Sequence, residues 1–126
     1  MTKLPLTSLI LASTMASVLA VAGCASGGSA EVRADIIAQM ATTRTPLDAC
    51  YENALARNRK LKGMVTIELI AEASTGQFKN VIIRRDEVQD PAVRMCIINA
   101  VSKLKLSTPT SSNTQIPYAF RFSPLN

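Results

Sequence analysis

Histidine is absent from this chain, and cysteine occurs three times, at Cys24, Cys50 and Cys96. Without imidazole there is no Ser-His-Asp triad, no Cys-His pair, no histidine-ligated zinc and no histidine general base. Three scattered thiols make a thiolate-only metal site improbable. Two carboxylates, Glu68 and Glu72, share one face of a candidate strand but stand four positions apart. That spacing reads as an exposed sheet face rather than a paired acid and base. No catalytic residue, no cofactor, no metal and no small-molecule substrate is expected, and the chemistry left to explain is that of the cysteines and of surfaces.

The surroundings of Cys24 give it a different fate from the other two. Lys3 is followed by a mostly apolar stretch, Leu4 to Val21, with no ionisable group, and the stretch ends in small residues. This is the layout of an export signal. Val21-Ala22-Gly23-Cys24 resembles the bacterial lipobox, in which the cysteine is acylated and becomes the first residue after cleavage. The resemblance implies a signal peptide over residues 1–23, lipidation at Cys24 and a membrane partner reached through the lipid anchor. Ala25 is not the Asp that favours inner-membrane retention in such proteins, so an outer-membrane location facing the periplasm is expected. Several buried acyl chains hold far more firmly than one, at about 0.8 kcal/mol per methylene.

Residues 24–44 read as an acylated tether and a short helix, and residues 45–126 as one domain. The tether is Ala25-Ser26-Gly27-Gly28-Ser29-Ala30, flexible by composition. From Glu31 to Thr43, Val32, Ile36, Ile37 and Met40 fall on one helical stripe. Thr45 reads as the cap of a second helix, with Pro46 at its first position and Asp48 in the first turn. Leu47, Cys50, Tyr51, Ala54 and Leu55 form its apolar face. After Gly63 the period changes to two: Val65, Ile67, Leu69 and Ala71 alternate with Thr66, Glu68, Ile70 and Glu72. Ser74-Thr75-Gly76 makes a turn, and Phe78 to Asp86 returns as a second strand. Asp90-Pro91 opens a third helix with Val93, Cys96, Ile97, Ala100, Val101 and Leu104 inward. Ile116, Tyr118, Phe120 and Phe122 then alternate with Pro117, Ala119 and Arg121, and Pro117 assigns this last strand to a sheet edge.

The order helix, strand, strand, helix, strand predicts an α+β fold. Its sheet has three antiparallel strands in the order 2-1-3, with the two helices on one face and the N-terminal tether or helix ahead of them. Cys50 and Cys96 lie on the apolar stripes of neighbouring helices in an exported chain, where disulfides persist. With Cys24 acylated the remaining count is even, so a Cys50–Cys96 disulfide is expected; two buried free thiols are the alternative. The basic group Arg57, Arg59, Lys60 and Lys62 reads as a solvated helix end, with anionic lipid as the competing reading. Aromatic residues make up 4% of the chain, too few for base stacking, and nucleic acid is not an expected partner despite a net charge of +5.

The segment Gln115, Ile116, Pro117, Tyr118, Ala119, Phe120, Arg121 and Phe122 is the candidate partner-binding edge. An edge strand offers unpaired backbone groups to an incoming peptide. The competing reading is that Pro117 simply blunts the edge against aggregation.

From about Thr45 to Phe122 the chain resembles the C-terminal domain of TonB-type proteins. The likeness is carried by Tyr51, Gly63-Met64-Val65, Gly76, Val81 and Ile83, Ala100-Val101, and Ile116-Pro117-Tyr118-Ala119-Phe120. Cys50-Tyr51 and Cys96-Ile97 are similar to the AgmX/PglI C-terminal subgroup. Leu104 stands where that family commonly has Trp, and Leu106 near where it has Phe. The retained inner-membrane helix and Pro-rich spacer of TonB itself are not seen in this sequence. The resemblance implies a non-enzymatic binding domain on a lipid anchor, taking a segment of an envelope protein at its last strand. An assembly or piloting lipoprotein for an outer-membrane secretion component is the alternative function.

Overall fold

The computed structural model describes residues 29–124. Ser29 starts the first helix, its hydroxyl accepting from the Val32 N–H at 3.4 Å, and α1 runs Ala30–Ala41. Its stripe is narrower than the sequence predicts. Ile36 and Met40 are buried and Val32 packs against them, whereas Ile37 is 61% exposed. Val32, Ile36 and Met40 repeat every four residues, and Ile37 is turned about 100° away from Ile36. α1 belongs to the packed body, because Ile36 and Met40 lie in the same apolar cluster as the sheet. Each such burial is worth about 2 kcal/mol.

α2, Arg44–Arg57, follows after two residues, two positions earlier than a Thr45 cap allows. The cap position is Thr43, whose carbonyl accepts from the Leu47 N–H at 3.0 Å. Its buried hydroxyl is taken by the Met40 carbonyl at 2.6 Å, so it caps no N–H of α2. Thr45 and Pro46 therefore both sit inside the first turn, where a missing N–H costs nothing. The turn is pinned by an Arg44–Asp48 ion pair at 3.3 Å. Leu47, Tyr51 and Ala54 are buried as the spacing predicts.

The sheet consists of β1 (Gly63–Ala71), β2 (Phe78–Asp86) and β3 (Thr114–Phe122) in the order β2-β1-β3, all pairs antiparallel. Every second residue of β1 from Val65 to Ala71 is buried, giving one covered face and one open face. At the hairpin, Gly76 adopts φ +71°, and an added Cβ would approach Leu106 to 3.1 Å. Only glycine suits that combination of backbone and crowding. α3, Pro91–Val101, crosses between β2 and β3, capped by Asp90, whose carboxylate accepts from the Val93 N–H at 3.0 Å. Leu104 lies three residues past its end, half-buried, and its carbonyl accepts from the Phe78 N–H at 3.0 Å. α2 and α3 pack against each other over the covered face, so the α+β arrangement and strand order are those the sequence predicts.

Candidate functional site

β3 pairs with β1 through an unbroken register from Gly63↔Phe122 to Ala71↔Thr114. Ile116, Phe120 and Phe122 are buried and Tyr118 is half-buried, so one face of the strand is locked into the core. Tyr118 and Phe120 meet edge to face, centroids 4.9 Å apart, and the Phe122 ring lies tilted 5.1 Å from that of Tyr51 on α2. Gln115, Pro117, Ala119 and Arg121 are exposed on the opposite face. All eight residues of the candidate edge thus lie on one strand, with the faces assigned as the alternation predicts.

The register also says which backbone groups face outward. Pro117 stands opposite Glu68 without interrupting the ladder. A proline fits there only with its nitrogen turned away from β1. In an antiparallel pair, residues two apart present their backbone groups the same way, so Gln115, Ala119 and Arg121 also direct theirs outward.

The other edge is built differently. β2 carries two register irregularities against β1, and Asn80 adopts φ +52°. Lys79, Arg84 and Arg85 are exposed along it. Bulges and charge of this kind bend an edge and repel added strands. β3 has no register shift against β1, so the two edges are unequal templates.

α1 adds something that sequence reasoning missed. A groove of about 330 Å³ is lined by Arg33, Ile36 and Ile37 from α1 and by Ile116, Pro117, Tyr118 and Ala119 from β3. Residues from both faces of β3 line it, so the groove straddles the free side of the strand. α1 is held beside it by two residues that grip the loop before β3. Asp35 accepts from the Thr108 N–H at 3.2 Å, and the Gln39 amide donates to the Ser107 hydroxyl at 2.8 Å. Burial opposes ionisation of Asp35, but hydrogen bonds from Gln39, Thr108 and Ser107 outweigh it and hold the carboxyl below its usual range. The one clue in the sequence was Ile37, an apolar residue one step off the buried stripe.

Cys50 on α2 and Cys96 on α3 meet at disulfide distance, with Cα atoms 6.5 Å apart, inside the range that such bonds span. Both are half-buried. Cys24 lies outside the described residues. Among the described residues no group of three or more Cys, Asp or Glu side chains gathers as metal ligands, and no helix is long and apolar enough to cross a membrane.

The remaining charged candidates are committed to partners or to solvent. Glu68 pairs with Arg84 at 2.6 Å and Glu72 with Lys79 at 2.8 Å. Hydrogen bonds from Arg84 and Lys79 hold both carboxyls below the usual range, and Glu72 stands one residue past the end of β1, in the turn, so the two do not share a strand face. Of the basic group, Arg57 reaches Asp90 at 3.3 Å, and Arg59, Lys60 and Lys62 are exposed.

Compared with known proteins, the chain matches no family model, no curated protein and no solved structure.

Proposed function

We propose that this chain is a lipid-anchored, non-enzymatic binding protein of the bacterial outer membrane, whose periplasmic domain takes an extended segment of an envelope protein onto the free side of β3. The observation that carries the reading is the contrast between the two sheet edges. β3 is regular over its nine residues and rooted in the core by three buried side chains, while β2 is bulged and charged. Backbone hydrogen bonds at such an edge give affinity of about 1 kcal/mol each, and neighbouring pockets give selectivity. The likeness of Tyr51, Gly76 and Ile116 to Phe120 to TonB-type C-terminal domains, and of Cys50-Tyr51 and Cys96-Ile97 to the AgmX/PglI subgroup, supports the same reading. Val21-Ala22-Gly23-Cys24 supports the anchor.

The test is substitution of Ala119 by Pro. It removes an outward donor and leaves the inward core untouched. A partner captured by crosslinking in intact cells is expected to lose most of its affinity for Ala119→Pro. Undiminished binding by a variant shown to be folded contradicts the reading.

A further inference from the structure

The groove beside β3 has a chemistry that narrows what can enter it. Six of its lining residues, Ile36, Ile37, Ile116, Pro117, Tyr118 and Ala119, are apolar or aromatic, and the seventh is Arg33. Among the described residues Arg33 makes no ion pair. Its own helix offers none. The positions three and four away are Ser29, Ala30, Ile36 and Ile37, while Glu31 and Asp35 are two away and off its face. Asp35 is also occupied by Thr108 and Gln39. Further along the same strand, Arg121 meets, among the described residues, only the Met64 sulfur at 3.7 Å, a weak acceptor. The edge therefore presents outward backbone groups, an apolar slot and two cations that pair with no acid among the described residues.

We propose that the α1–β3 groove is a docking slot for an extended acidic and apolar segment of another protein, with α1 as its second wall. The proposal rests on the edge-binding reading and adds to it the class of segment selected. The added strand lays alternate apolar side chains against Ile37 and Tyr118 and brings a carboxylate to Arg33. Without Lys3 of the leader the chain keeps 13 basic and 9 acidic residues, a net charge of +4 that favours approach of such a segment. A second copy of this chain fits less well, because edge-to-edge pairing brings the same cations to both sides of the interface.

The experiment uses the full chain in mild detergent and a short blocked fluorescent peptide in which valine alternates with threonine and glutamate. Glutamine and lysine counterparts of the peptide serve as comparisons, and binding is read by anisotropy at low and high salt. The glutamate peptide is expected to bind about threefold tighter than the glutamine one at low salt, the range of an exposed ion pair, with the lysine peptide weakest. Arg33→Glu should invert that order. Ile37→Ser should weaken all three peptides about fivefold through lost apolar contact. Both positions are exposed, so the fold should survive, which thermal unfolding checks.

If Ala119→Pro abolishes binding while Arg33→Glu and Ile37→Ser do not change it, the slot is overturned and the edge reading stands. If the α1 variants matter and Ala119→Pro does not, the edge reading fails, and with it the added-strand form of the slot. Equal affinity for the three peptides, no binding of any, or a dimer in sedimentation that Ile37→Ser dissolves each overturns the acidic segment as occupant.

Discussion

Arg57, the last residue of α2, reaches the carboxylate of Asp90, the cap of α3, at 3.3 Å. One carboxylate therefore closes a helix start and ties two helices together. Its strongest contact is the Val93 N–H, and that bond, aided by Arg57 against the opposing effect of burial, holds the carboxyl below its usual range.

Replacing this cap should be costly. Asp90→Ala should lose about 1–2 kcal/mol in denaturant unfolding at neutral pH. Because the folded pKa is lowered, the ionised cap stabilises above the unfolded value of about 3.9, and that contribution fades as pH falls through the folded value. Asp90→Asn retains a capping oxygen without the titration. The gap between wild type and Asp90→Asn should therefore shrink as pH falls below about 4.

The Cys50–Cys96 pair makes a second prediction. The two residues are 46 apart in sequence, and closing a loop of that length is worth about 4 kcal/mol in unfolded-state entropy. Both thiols should resist alkylation in the unfolded, unreduced protein from an oxidising compartment. Reduction, or Cys50→Ser with Cys96→Ser, should lower the unfolding midpoint steeply. Two freely alkylated thiols would show that the pair is not bonded.

Tyr51 offers a third test. Its hydroxyl donates to the Leu61 carbonyl, and its ring packs 5.1 Å from that of Phe122 at the end of β3. Tyr51→Phe keeps the ring and leaves the carbonyl short of a donor, at a cost of about 1–3 kcal/mol. Tyr51→Ala also removes the packing and should cost about 3–5 kcal/mol, as aromatic truncations in cores do. A Tyr51→Phe midpoint equal to wild type would mean that the Leu61 carbonyl is satisfied by water.

The strands were legible because their signals are strong and local. Alternation from Val65 to Ala71 and from Ile116 to Phe122 leaves no other period, and Asp90-Pro91 writes a helix start in two residues. Thr45 misled because a hydroxyl before a proline is a cap only if the chain enters the helix extended. Here the chain arrives from α1 already in helical conformation at Thr43. The β2 bulges and the wall that α1 raises beside β3 depend on tertiary packing. Neither register slips nor the side of the sheet on which a helix settles is encoded in spacing along one element.

Lipidation at Cys24 is an expectation of the sequence that cell fractionation can test. Wild type should incorporate labelled fatty acid and stay in the membrane after a salt wash. Cys24→Ser should leave an unprocessed precursor or a soluble form. Extraction of the wild type by salt alone, without label, would refute the anchor.

The central claim is that partners meet the domain along β3, and position-resolved photo-crosslinking in intact cells tests it most directly. A photoreactive residue is placed at Gln115 or Arg121, both exposed on β3, and for comparison at Asn80, exposed on β2. The account predicts one discrete adduct from Gln115 and Arg121, diminished by Ala119→Pro, and none from Asn80. An adduct from Asn80 with β3 silent would contradict it.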